Sequence, residues 1–556
     1  MAESLSRTPS PSKFPDAGMR TVDHYQRRLP GWRYRLRQEL IPIVRKETPI
    51  LAKIQETCRT SFLDSYFAVT ANLGTHTFFM TALPICFWCG LPDVGVAMVH
   101  MLALGVFLSG VVKDALCLPR PLSPPLKRIS MSGSAALEYG FPSTHTTNAI
   151  SVALFCLYEL HQRQGDISSR SFTMIQLGLY WYAVSIMFGR LYCGMHGFFD
   201  IVIGIFLGGF ITWLRIAFGE AFDAWILSGG VQQPFIAIVV CALAVRFHPE
   251  PADNCPCFDD SVAFSGVIMG LELGIWHFVR VASRAAHGDD AQFHTLYEFD
   301  NHDLVKIGAR LVLGVVLIFA WRACMKPVLL WVLPPIYRSV DSLGFRLPRR
   351  YFKQSRDYRQ VPSLRDDDKV LPPASDIPGM LSNMRHPRRR TVSVGPQSEA
   401  DAREYIASRE ERRRFSRSES RQRALDSKAS TQSLRSGNNT SYTSGNDTAV
   451  ETPAAETAAE ADSYLTAKPF SSYDPAGRLQ VIGQPQHTFL LTPPPSDVAS
   501  DSANEDEKQD REMFSLLEKP RVRYDVEVIT KLVVYAGIAW MAVEAGPVIF
   551  IHLGLV

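Results

Sequence analysis

Three short stretches decide the fold: Val111-Val-Lys-Asp-Ala-Leu-Cys-Leu-Pro-Arg-Pro121, Phe141-Pro-Ser-Thr-His-Thr-Thr-Asn148 and Gly189-Arg-Leu-Tyr-Cys-Gly-Met-His-Gly-Phe-Phe-Asp200. Each abuts an apolar run. Lys113 closes the run 93–112, His145 precedes 147–162, Arg190 ends 173–189 and Asp200 opens 198–217. A bilayer core takes about 20 mostly apolar residues per helix. Further runs at roughly 64–90, 224–245, 261–282, 305–325 and 530–555 extend the series. The pattern predicts an all-α, polytopic membrane bundle of about 8–9 transmembrane helices. A shorter apolar piece, Val328 to Tyr337, contains Pro334 and Pro335 and reads as re-entrant or interfacial.

Outside these runs the chain changes character. Its averages, 46% hydrophobic residues and a net charge of 58 − 55 = +3, resemble those of a soluble protein and are too balanced for a dedicated nucleic-acid binder. They sum two opposite compositions. The expected organisation is a basic N-terminal segment (1–60), a transmembrane domain (61–338, with its core at about 93–217), a polar Ser/Arg/Pro-rich region (339–528) and a terminal transmembrane helix (529–556). The polar region buries too little apolar surface to offset its ordering entropy and is expected to be disordered. About a dozen arginines fall between Arg385 and Arg423, and Ser393 and Ser416 sit in basophilic kinase patterns within 388–418. Asn438, Asn439 and Asn446 begin N-glycosylation sequons. Short patterns of both kinds also arise by chance in such segments. No signal peptide is visible, and Tyr25 to Leu51 reads as a basic amphipathic stretch, either on a membrane surface or as a plain soluble helix. Ten cysteines are too few for a disulfide scaffold. Cys255 and Cys257 stand in a Pro-rich loop, where a metal site would need two more ligands; a rigid loop, with or without a disulfide, is the preferred reading.

Parity brings the charged residues together. Leaving the second run puts Lys113 and Arg120 on one membrane face, and His145 precedes the third run on that same face. One round trip later Arg190 and His196 return there. Three lasting cations and two imidazoles with few acids nearby make an anion site, for which a dianionic phosphate is a natural guest. His196 and Asp200 are spaced i,i+4, so the carboxylate can accept one ring N–H and leave the other nitrogen's lone pair exposed. Such an imidazole is a nucleophile for phosphoryl transfer, with His145 as acid and base and the Arg/Lys charge stabilising the transition state without a metal or other cofactor. Singly, each cation also reads as a snorkelling anchor and Asp200 as a helix N-terminal acid. The joint spacing is what favours the catalytic reading.

Those motifs resemble the type 2 phosphatidic acid phosphatase superfamily. Lys113 through Pro121 matches its first motif, Pro142-Ser143-Thr144-His145 its second with Thr in place of Gly, and Gly189-Arg190 through Asp200 its third with Gly in place of Ser. The resemblance implies that Lys113, Arg120, Ser143, the Thr144 N–H and Arg190 bind phosphate. It further implies that His196 forms a phosphohistidine, Asp200 orients it and His145 is the acid/base. The stretches Phe141 to Asn148 and His248 to Phe264 are similar to fungal dihydrosphingosine and sphingosine 1-phosphate phosphatases. That narrower likeness covers roughly 25–360 and the terminal apolar segment, not the polar insert.

The expected activity is therefore hydrolysis of long-chain base 1-phosphates, membrane-embedded lipid substrates, at the endoplasmic reticulum with the site facing the lumen. A broad phosphatidate or diacylglycerol pyrophosphate phosphatase is the alternative within enzymes. A phospholipid transporter or a scaffold working through its Arg/Ser segment is the alternative outside them. Basophilic kinases acting on 388–418 are candidate partners, and the sequence sets no oligomeric state. Topology is in tension: parity places the N-terminus and the polar insert on the catalytic face, whereas their positive charge favours the cytosol.

Overall fold

The computed structural model of the protein describes residues 16–70, 76–123, 125–129, 137–285, 297, 303–344, 349–361, 406 and 522–555. One compact unit is formed by the chain up to Ile406 and from Glu512 onward; a second, Ala407–Arg511, lies wholly outside the described residues. Most of the segment expected to be disordered, including the kinase patterns and sequons, likewise lies outside them.

The helices run in order α1 (Val22–Arg28), α2 (Gly31–Cys58), α3 (Ser61–Thr70), α4 (His76–Trp88), α5 (Pro92–Leu116), α6 (Thr144–Gln162), α7 (Ser169–Tyr192), α8 (Phe198–Ser228), α9 (Gln232–Phe247), α10 (Cys257–Ala285) and α11 (Leu304–Ser342). After the insert come α12 (Val526–Trp540), a π-helical turn at Met541–Ala545 and α13 (Gly546–His552). Six stretches among the described residues are long and apolar enough to cross a bilayer: α5, α7, α8, α10, α11 and the unit from α12 through α13. The protein is a multi-pass membrane helical bundle.

Apolar patterning sets the layers. α5 and α10 are buried over two-thirds of their apolar windows (67% each), against 22% for α7 and 28% for α8. The first pair forms the centre; the second pair turns Trp181, Phe206 and Trp213 outward, where lipid solvates them. α12 docks on α10 along Gly266, Gly270 and Gly274, a small-residue stripe at every fourth position. A Cβ at Gly270 would collide with the carbonyl of Ala536, so only glycine permits this backbone approach.

Two boundaries differ from the sequence reading. The described part of the first expected span, 64–90, is helical in α3 and α4, with 71–75 outside the described residues. The sixth, 224–245, is divided at Gly229, where α8 stops and α9 begins three residues later. Val328 to Tyr337 is neither re-entrant nor a separate interfacial piece: α11 continues through Pro327, Pro334 and Pro335. The tertiary frame carries the helix past the positions where each proline removes a backbone donor.

The loops at one end of the bundle are laced together by α2. Arg33 donates to the carbonyls of Asp114, Ala115 and Glu250, and Arg37 to those of Cys117 and Gly18. Gln55 bonds the backbone of Lys127 and the carbonyl of Tyr192. The basic amphipathic stretch is thus a half-buried strap across the bundle end, packed on α5, α7 and α8. The 248–257 loop lies at the same end, with Cys255 and Cys257 joined as a disulfide. The polar insert also starts and finishes there. Phe352–Lys353 pairs in parallel with Arg523–Tyr524, Tyr351 donates to the carbonyl of Ala252, and Arg523 donates to that of Cys255. Order therefore extends past residue 339 on one side and begins before 528 on the other.

Candidate active site

The end of the bundle strapped by α2 is also where the charged motifs meet. α5 stops because Cys117 takes a left-handed conformation (φ 53°) and Pro119 follows, which leaves Lys113 in the last turn. α7 ends at Tyr192, and the chain doubles back so that the carbonyl of Arg190 accepts from the N–H groups of Met195 (3.1 Å) and His196 (3.4 Å). That turn puts the Arg190 guanidinium and the His196 ring in one pocket. α6 starts at Thr144, capped by Ser143, whose Oγ accepts from the Thr146 N–H at 3.3 Å and from the Thr146 hydroxyl at 3.0 Å. The Ser143 N–H in turn donates to the carbonyl of Asp200 at 3.2 Å, pinning the start of α6 to the start of α8.

His196 is buried with both ring nitrogens placed. Nδ1 lies 2.8 Å from the carbonyl oxygen of Gly140 and 3.5 Å from Asp200 Oδ2. A carbonyl only accepts, so Nδ1 carries the proton and Nε2 presents its lone pair. Nε2 faces Arg120 Nη1 at 3.4 Å. Burial first, and then the charges of Arg120, Arg190 and Lys113, hold the His196 pKa well below the ordinary histidine value. The Asp200 carboxylate, at 3.5 Å, does not offset them. The ring is thus a neutral base in a cationic surround.

The cations divide by how they are satisfied. Arg120 is anchored through Nη1 to the carbonyl of Met195 (2.8 Å) and through Nη2 to Glu138 Oε2 (2.9 Å), and burial lowers its pKa to about 10. Arg190 is buried, and its Nε has no hydrogen-bond partner. Lys113 is buried and makes no ion pair among the described residues. A buried guanidinium nitrogen left unbonded is costly unless a ligand completes it. Thr144 bonds Ser109 through its hydroxyl (2.8 Å), and its N–H, in the first turn of α6, has no acceptor within the helix. His145 is half-buried, and its charge acts on His196. All eight residues singled out from sequence, Lys113, Arg120, Ser143, Thr144, His145, Arg190, His196 and Asp200, gather at this bundle end.

Several participants were not legible in the sequence. The nearest acceptor for His196 Nδ1 is a backbone carbonyl, that of Gly140, rather than the Asp200 carboxylate expected to hold the ring. Asp200 Oδ2 lies closest to the Gly197 N–H, at 2.8 Å, as the capping acid of α8. Nor is the neighbourhood poor in acids. Glu138 pairs with Arg120, and Glu47 of α2 accepts from the Phe199 N–H at 2.9 Å, a second carboxylate on the positive end of α8. Burial raises the Glu47 pKa. Gly197 makes room for this acid, since a Cβ there would strike Glu47 Oε2.

Fold and site together define a multi-pass membrane protein with a cluster of buried cations around a lone-pair-presenting histidine at one end of the bundle. Residues 94–222 match the family described as the PAP2 superfamily. The chain is 39% identical over 334 residues to a dihydrosphingosine 1-phosphate phosphatase of Schizosaccharomyces pombe, spanning 60% of this chain and 79% of that protein. It is 33% identical over 261 residues to a dihydrosphingosine 1-phosphate phosphatase of Saccharomyces cerevisiae, spanning 47% and 64%. It is 26% identical over 306 residues to lipid phosphate phosphatase delta of Arabidopsis thaliana, spanning 52% and 69%. The chain belongs to the PAP2 superfamily, on the branch of these sphingoid-phosphate phosphatases. No solved structure matches it.

Proposed function

We propose that the protein is a lipid phosphate phosphatase that hydrolyses long-chain base 1-phosphates to the free base and phosphate through a phosphohistidine. The observation that carries this reading is the pairing of a neutral His196, Nδ1 held by the Gly140 carbonyl and Nε2 unprotonated toward Arg120 Nη1, with the unsatisfied Nε of Arg190. Lys113, Arg120, Arg190, the Ser143 hydroxyl and the Thr144 N–H take the phosphate oxygens. His196 Nε2 attacks phosphorus as the ester oxygen leaves, and His145 protonates that oxygen. In the second half, His145 removes a proton from water, the water attacks phosphorus and His196 departs as the neutral ring. The oriented positive charge stabilises both transition states with no step assigned to a metal. Asp200 and Gly140 hold the ring. The sphingoid substrate is supported by the names of the two fungal relatives. The broader alternative is supported by the plant relative's name, lipid phosphate phosphatase.

We place the protein in the endoplasmic reticulum membrane with the site facing the lumen. The strap helix α2, both ends of the insert and the active site share one face, so a lumenal site carries the insert into the lumen with it. Asn438, Asn439 and Asn446 would then be open to glycosylation, and 388–418 closed to cytosolic kinases.

The deciding experiment is phosphate release by purified protein in detergent micelles with excess EDTA, comparing dihydrosphingosine 1-phosphate with phosphatidate. His196→Ala serves as the blank and is expected to lose at least about 10³-fold in rate while inserting normally. Equal release from both lipids would replace the sphingoid reading with the broad one. Activity retained by His196→Ala would remove the phosphohistidine.

A further inference from the structure

One carboxylate stands where phosphate binding alone has no use for it. Glu138 Oε2 accepts from Arg120 Nη2 at 2.9 Å, and its backbone carbonyl accepts from Arg120 Nε at 3.3 Å. Its charge also acts on Lys113 and Arg190, so a single acid reaches all three cations of the pocket. The Glu138 side chain is 27% exposed and that of Arg120 is 3%. The carboxylate therefore lies toward the open side of the guanidinium, and His196 toward its buried side.

A phosphate dianion drawn in by these cations comes to rest beside a carboxylate of the same sign, which opposes binding. The conflict disappears for a substrate that carries its own cation next to the phosphate. A long-chain base 1-phosphate has an ammonium on the carbon adjacent to the phosphorylated one. Phosphatidate has an uncharged ester at that place, and N-acylation turns the ammonium into a neutral amide.

We propose that Glu138 is a specificity-determining residue that accepts the substrate's ammonium while Arg120 holds the phosphate, so that the pocket selects zwitterionic phosphomonoesters over purely anionic ones. This rests on the sphingoid reading above and gives it a physical cause. Removing one partner of a charged contact at a part-exposed site changes binding by about tenfold.

The test compares kcat/KM for dihydrosphingosine 1-phosphate, its N-acetyl derivative and phosphatidate in identical micelles, using wild type, Glu138→Gln and Glu138→Asp. Wild type is expected to favour the free amine over the N-acetyl substrate about tenfold or more. Glu138→Gln should collapse that ratio, chiefly by raising KM for the amine, and Glu138→Asp should restore part of it. A residue that merely braces Arg120 would lower all three substrates together and leave the ratio intact, and that result overturns the inference alone. Should Glu138→Gln fail to fold, wild type still decides: equal turnover of the amine and N-acetyl substrates overturns the inference, and a tenfold preference for the amine supports it. A wild type that cleaves phosphatidate but not the sphingoid phosphate overturns the substrate reading and this inference with it.

Discussion

The two ends of the bundle both hold charge inside the helices, and they treat it in opposite ways. At the end away from the active site, His100, Arg215, Asp223 and Glu272 form a chain on α5, α8 and α10. Arg215 is bidentate to Asp223 at 3.0 and 2.6 Å and contacts His100 Nδ1 at 3.0 Å, while His100 Nε2 meets Glu272 at 2.5 Å. A cavity of about 820 Å³ opens beside them, lined by residues that include Glu159, Arg163, Glu220 and Arg280. Its volume exceeds anything a phosphate group needs, yet Arg215 is neutralised by Asp223, Arg163 lies against Glu159 at 3.6 Å and Arg280 donates to the Gly229 carbonyl. At the active-site end, Arg190 Nε is left without a partner, and Lys113 has no ion pair among the described residues. Size and charge alone do not mark the functional end. Buried cations without an ion pair, gathered around a histidine that presents its lone pair, do.

The largest effect that sharpens this contrast comes from removing one arginine at each end. Arg190→Ala should cut kcat/KM about 10²–10³-fold, since it deletes a donor to the transition state, with little change in melting temperature. Arg215→Ala should do the reverse: activity within about twofold of wild type, but stability lower by about 1–3 kcal/mol as Asp223 and His100 lose their partner. Phosphate release and thermal melts in the same detergent read both. If Arg215→Ala abolished turnover, the two ends would not be separable.

A middle-sized effect is expected from the strap. Glu47→Gln keeps the size of the side chain but removes the negative charge from the start of α8, next to Asp200 and His196. We expect a loss of about tenfold in kcat with KM nearly unchanged, because the substrate pocket is not touched. A change confined to KM would place Glu47 in substrate binding instead.

The smallest effect concerns pH. The folded His196 pKa lies below its unfolded value of about 6.5, so the unfolded chain binds more protons in the interval between them. Stability from this group is complete above about 6.5 and falls as pH drops through that interval. The nucleophile stays unprotonated there, so phosphoenzyme formation in a rapid-quench experiment should persist below pH 6.5. An acid limb centred at an ordinary histidine pKa for that step would contradict the buried, neutral ring.

What sequence could reach was set by the range of the interactions. Lys113, Arg120, His145, Arg190, His196 and Asp200 were legible because each lies at a helix end, and parity alone sends those ends to one face. Glu47 and Glu138 were not, because their roles depend on contacts across tens to more than a hundred positions, such as Glu47 with Phe199. Gly140 was invisible for another reason: it acts through a carbonyl that every residue possesses. The divided sixth span and the unbroken α11 misled for a shared cause, in that hydropathy reports which residues tolerate lipid but not where the backbone stays helical. The stretch 248–264 resembles the fungal phosphatases in sequence, and the structure gives it a mechanical place, with Asp253 accepting from Tyr25, Tyr139 and the Gly18 N–H beneath the strap.

The two-residue ladder of Phe352–Lys353 with Arg523–Tyr524 has a consequence for modularity. It brings the departing and returning chain side by side at the root of the insert, so the bundle contains its own closure point. The ladder leads within two residues into the helix that forms the glycine seam with α10, so the returning chain is held at its entry to the bundle. Evolution can lengthen, shorten or exchange the segment between them without renegotiating the membrane core. A protein engineer can splice there too, grafting a reporter into one covalent loop of an enzyme whose helices would not register the change.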